Sequence, residues 1–126
     1  MTGKRTGGGF TFMELLVVLA LIALLASVIA PLLTNSIGRA REATLKENLQ
    51  VMRKAIDDYY GDRGEYPPDL EALVQKRYLR RVPVDPVTER VDTWRTVRAE
   101  TERGGIMDVR SGSEEQASEG GYFRDW

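Results

Sequence analysis

The hydrophobic pattern of the chain changes character at about Leu33. From Phe10 to Leu33 almost every position is apolar; Glu14 is the one strongly polar side chain, with Thr11 and Ser27 as mild exceptions. A helix without a polar face needs apolar surroundings on every side. At about 1.5 Å per residue the run makes roughly 36 Å of helix, enough to cross a hydrocarbon core of about 30 Å. Beyond it the pattern turns amphipathic. Ile37, Ala40, Leu45, Leu49, Met52, Ile56 and Tyr59 recur near helical spacing, while Arg39, Arg41, Glu42, Lys46, Glu47, Arg53 and Lys54 take other faces. Neither Pro nor Gly interrupts residues 39–60, and Gly61 offers a stop. The spacing predicts one helix from about Phe12 to Tyr60, its first half in lipid and its second half packed on a small domain.

Past Gly61 the signals shorten. Gly64, Pro67 and Pro68 demand a loop, and Asp69 is placed to cap a short helix over Leu70 to Lys76. Thr93 to Arg98 and Gly105 to Ser111 carry β-prone residues with partial alternation and read as strands. Arg90 to Arg103 is rich in charge and reads as a solvated hairpin rather than a ligand patch. The expected organisation is therefore residues 1–9 as a leader, 10–33 as a membrane-spanning half-helix, 34–61 as its amphipathic continuation, and 62–126 as a small α+β domain.

Composition closes most other possibilities. The 126 residues allow one small domain plus an anchor. Lys and Arg number 18 against 19 Asp and Glu, a formal charge of −1, so no global basic field invites nucleic acid. Cys and His are both absent, which removes disulfides, zinc clusters, thiol nucleophiles and acid–base schemes built on imidazole.

Lys4 and Arg5 precede the apolar run with no acid beside them, which predicts a cytoplasmic amino terminus and an external remainder. A cleaved secretory signal usually has a shorter apolar region ending in small residues, and Ala30-Pro31-Leu32-Leu33 makes a poor cleavage site. A plain signal anchor fits the length but gives no reason for Glu14. The order Gly9-Phe10-Thr11-Phe12-Met13-Glu14-Leu15-Leu16-Val17-Val18 resembles the prepilin motif of type IV pilins and type II secretion pseudopilins. The resemblance implies that a membrane-embedded peptidase cuts between Gly9 and Phe10 and methylates the new amino group, making Glu14 the fifth residue of the mature chain. A carboxylate in a bilayer costs on the order of 3 kcal/mol and needs a partner. The ammonium exposed on Phe10 of a neighbouring helix would be one, with pairing that also fixes register. The plainer alternative is that Glu14 snorkels to the headgroups. Pro31 is expected to kink or loosen the helix, or simply to mark its exit from the membrane.

The segment YYGDRGEYPPDLEALVQKRYLRRVPVDP carries a second likeness. It resembles the major pseudopilins of type II secretion systems, the general secretion pathway protein G family, through Gly64, Tyr66, Pro67, Leu70, Leu73, Tyr78, Leu79, Pro83, Asp85 and Pro86. The family often has Trp-Gly-x-x-Tyr where this chain has Trp94-Arg95-Thr96-Val97, which puts the strand geometry there in question. The resemblance implies an α+β, pilin-like fold: one long amino-terminal helix on a small antiparallel sheet and loop domain. It implies a non-enzymatic subunit of a periplasmic pseudopilus that drives protein export. Its partners would be copies of itself in a helical homopolymer, minor pseudopilins, prepilin peptidase, the inner-membrane assembly platform and membrane lipid, with no nucleic acid. The expected location is the bacterial inner membrane, crossed once, with the carboxyl-terminal domain in the periplasm. Family members also bind calcium in the carboxyl-terminal loop. Glu119, Asp125 and Ser113 are the candidate ligands here, although the loop has glutamates where the family usually has aspartates, and a solvated acidic loop is the alternative. Two other functions stay open at this point: a type IV pilin or minor pilin serving adhesion, motility or DNA uptake, and a membrane-tethered periplasmic enzyme or binding module.

Overall fold

The computed structural model describes residues 9–126. Helix α1 spans Phe12–Arg63, 52 residues without interruption. The chain divides between Ile37 and Gly38 into two compact units.

In the amino-terminal unit no side chain from Phe10 to Ile37 is covered: Leu16, Leu21, Leu25 and Ile29 are all exposed. Of the expected leader, residues 1–9, only Gly9 is described; residues 1–8, with Lys4 and Arg5, lie outside the described residues.

The second unit is built on the rest of α1. Leu45, Leu49, Met52, Ile56 and Tyr59 are buried as the sequence pattern predicts, and Ala55 joins them. Ile37 and Ala40, placed on the same stripe, are exposed; the packed face begins only at Leu45. Nor does Gly61 end the helix. α1 runs on to Arg63 and stops where Gly64 takes the left-handed conformation at φ 71°, its N–H bonded to the Tyr60 carbonyl at 2.8 Å. A Cβ there would be strained, so the second of the two glycines is the terminator.

Helix α2, Leu70–Gln75, starts as expected: the Asp69 carboxylate accepts the Ala72 N–H at 2.8 Å. Lys76, expected in its last turn, is the cap instead, and Arg77 follows at φ 67°. Strands β1, Arg95–Arg98, and β2, Ile106–Arg110, form an antiparallel pair with Thr96 opposite Val109 and an irregularity between Val97 and Arg98. The questioned stretch thus does form a strand, but only from Arg95. Trp94 before it is buried, and its indole N–H reaches the Pro83 carbonyl at 2.8 Å. The hairpin surroundings are solvated as expected: Arg90 and Asp92 pair through two hydrogen bonds at 2.8 and 2.7 Å with both side chains exposed. Gly112 lies so close to the Thr93 carbonyl oxygen that a Cβ would come within 1.8 Å of it. A final 3₁₀ turn, Phe123–Asp125, seats Phe123 in the core.

One buried acid organises the connections. Asp85 is fully buried and accepts from the Val87 and Thr88 N–H groups at 2.8 and 3.3 Å and from the Ser111 hydroxyl at 2.7 Å. With four lone-pair sites it can satisfy all three, and a buried carboxylate requires such partners. It ties the turn after Pro83 to the start of the carboxyl-terminal loop.

Candidate functional site

Gly9, Phe10 and Thr11 precede the helix, so the expected cleavage position, between Gly9 and Phe10, lies in non-helical chain just outside α1. Thr11 caps the helix. Its hydroxyl oxygen accepts the Glu14 N–H at 3.1 Å, and its carbonyl accepts the Leu15 N–H at 3.0 Å. Thr-x-x-Glu is half of a capping box, a short-range signal that the sequence reasoning passed over. Glu14 therefore has a local place as well: an acid in the first turn lies near the positive end of the helix dipole. The cap also fixes where the carboxylate sits, in the first turn of α1 and four positions from the residue that the expected cleavage would make the first.

Behind Glu14 the helix contains an 18-residue stretch of mean hydropathy 2.9, none of it buried within the chain. That surface must be covered by lipid or by other helices. Pro31 lies inside the continuous helix. Lacking an N–H, it leaves the turn before it short of one bond. Two hydroxyls work locally on the same stretch: Ser27 donates to the Leu24 carbonyl at 2.7 Å, and Thr34 to the Ala30 and Pro31 carbonyls at 3.2 and 3.0 Å.

The expected calcium ligands are not assembled into a site. Ser113 is buried, its hydroxyl accepting the Glu115 N–H at 3.1 Å, while Glu119 and Asp125 are exposed. Among the described residues no three His, Cys, Asp or Glu side chains come close enough to hold a metal ion. Calcium takes about six to eight oxygens, and the acidic side chains as placed here do not by themselves supply that set.

Two residues missed at the sequence level have larger roles. Arg53, assigned to the solvent face, is partly buried; its guanidinium donates to the Asp108 carboxylate at 2.8 Å, to the Val109 carbonyl at 2.9 Å and to the main-chain oxygen of Trp126. Glu42, also placed on a polar face, receives both the N–H and the hydroxyl of Ser118 at 2.7 Å each. No periodicity rule singles out a charged residue whose partners lie far along the chain.

Comparison with known proteins decides what this arrangement is. A prokaryotic N-terminal methylation motif matches residues 4–30. The type II secretion system core protein G of Pseudomonas aeruginosa is 30% identical over 99 residues, covering 66% of this chain and 70% of that protein. The chain belongs to the type II secretion system core protein G family. The Vibrio cholerae core protein G agrees, at 31% over 101 residues, 68% of this chain and 69% of that one. A fimbrial protein of Eikenella corrodens, EcpC, is 29% identical over 86 residues, 64% of this chain but 56% of its own. No solved structure matches. The protein is thus a pseudopilin subunit of a type II secretion system, anchored by an apolar helix and forming a pseudopilus with other components of that system.

Proposed function

We propose that this pseudopilin is cut between Gly9 and Phe10 by prepilin peptidase, methylated on Phe10, and polymerised by pairing Glu14 of one subunit with the Phe10 ammonium of the next. The observation that carries the reading is a capped helix start holding a carboxylate one turn from the proposed cut, on a helix whose first half has no covered apolar face. Helices drawn from lipid into a filament core keep that face dry, and the charge pair sets their axial offset. Before assembly the span holds the subunit in the inner membrane, amino terminus inside and residues 38–126 in the periplasm. Its role is structural rather than catalytic, and its partners are further copies of itself, minor pseudopilins and the assembly platform. The pseudopilus then pushes folded cargo outward.

The likeness to a fimbrial protein favours a second reading, a type IV pilin, but it covers barely more than half of that relative. Mass spectrometry of assembled filaments tests the processing: N-methyl-Phe10 is expected, and an intact leader would overturn it. Glu14→Ala should insert normally yet form few or no filaments; filaments at the normal level would remove the role given to the carboxylate.

A further inference from the structure

The carboxyl-terminal loop, residues 111–126, is the segment in which the family resemblance implies a bound cation. Its four acids, Glu114, Glu115, Glu119 and Asp125, are exposed, and no three acids of the described residues gather around a common point there. Yet the loop is ordered into the core: Ala117 and Phe123 are buried, and Phe123 packs edge-on against Trp126 with ring centroids 4.9 Å apart.

What holds it is one face of α1. Glu42, Lys46 and Arg53 share that face through spacings of four and seven. Glu42 grips the loop tip by both its oxygens, accepting the Ser118 N–H and hydroxyl at 2.7 Å each. The Lys46 ammonium stands 4.9 Å above the Trp126 ring. Arg53 reaches the main-chain oxygen of Trp126 while tying β2 at Asp108 and Val109. At the loop's origin the Ser111 hydroxyl is held by buried Asp85 at 2.7 Å. The turn at the tip closes on itself, Ala117 N–H to Gly121 carbonyl at 2.9 Å. Start, tip and end of the loop each have a protein partner.

We propose that this three-point latch, with Glu42–Ser118 at its centre, replaces the divalent cation, and that the loop of this pseudopilin is calcium-independent. An anionic side chain on the helix here takes the loop's own donors directly, where a cation would gather the loop's own acceptors. The two devices are alternatives: a loop with its tip donors engaged by Glu42 has no need to fold its acids inward against their mutual repulsion. The inference does not require polymerisation, so it stands or falls separately from the filament reading.

The test uses the full chain in detergent micelles. With millimolar calcium or with excess chelator the melting midpoint should agree within about 1 °C, since a ligand that binds only the folded form would raise it by mass action. Glu42→Gln should lower the midpoint by roughly 2–4 °C, a modest shift because the pair is exposed. It should also speed tryptic cleavage at Arg124 several-fold, and Ser118→Ala should reproduce both effects without adding to them in the double variant. Stoichiometric calcium binding, or a midpoint that falls on chelation and returns with calcium, would overturn the proposal. So would a Glu42→Gln variant whose loop resists trypsin as the parent does.

Discussion

The amino-terminal and carboxyl-terminal stretches of α1 have the same backbone and opposite relations to their side chains. In the first, Leu16, Leu21 and Leu25 lie open; in the second, Leu45, Leu49 and Ile56 are buried in one core with Leu73, Val109 and Phe123. The difference teaches that hydrophobicity alone does not build a core. A uniformly apolar stretch has no preferred face, so it waits for lipid or for identical helices. A striped one selects the side on which its own chain folds back.

The sharpest blow to the folded side of that contrast is Gly112→Ala. Its Cβ would press within 1.8 Å of the Thr93 carbonyl oxygen, so backbone must move. We expect a loss of about 3 kcal/mol or more, read as failure to melt cooperatively, with membrane insertion intact. Next comes a matched pair. Leu49→Ala should cost about 2–5 kcal/mol in urea unfolding of the second unit, because Leu49 is buried. Leu21→Ala, the same change on the open stretch, should stay within about 0.5 kcal/mol; equal losses at both positions would erase the distinction. Removing the α2 cap with Asp69→Ala should cost about 1 kcal/mol.

The smallest effect is expected from acid. The Glu42 carboxyl is held below the usual carboxylate range, first by the Ser118 N–H and then by the Ser118 hydroxyl. A lowered folded value means the contribution is complete above the ordinary value of 4.5 and fades as pH falls below it toward the folded value. Protection of the Ser118 amide from hydrogen exchange should fall in that window, and Glu42→Gln should abolish the dependence.

Most of the fold was legible in the sequence because it is written locally. The long helix, the Asp69 cap and both strands follow from spacing, a short polar side chain and β-branched residues. The errors also have local causes. Two glycines lay within reach of the helix end, and only the one bearing a positive φ could stop it. The apolar stripe carried no mark of where packing starts, so Ile37 and Ala40 were assigned to a core that begins at Leu45. The methylation motif at the amino terminus was legible around Gly9, Phe10 and Glu14, although the Thr11 cap beside them was overlooked. The latch was not readable: Glu42 and Ser118 stand 76 positions apart, and nothing in either neighbourhood points to the other.

Thr11 has a consequence for maturation. Under the proposed processing, a cut after Gly9 would leave Phe10 and the Thr11 cap on the subunit, which would keep the hydroxyl that seats its first helical turn. Such a cut would change the charge beside the first turn without touching the hydrogen bond that caps it.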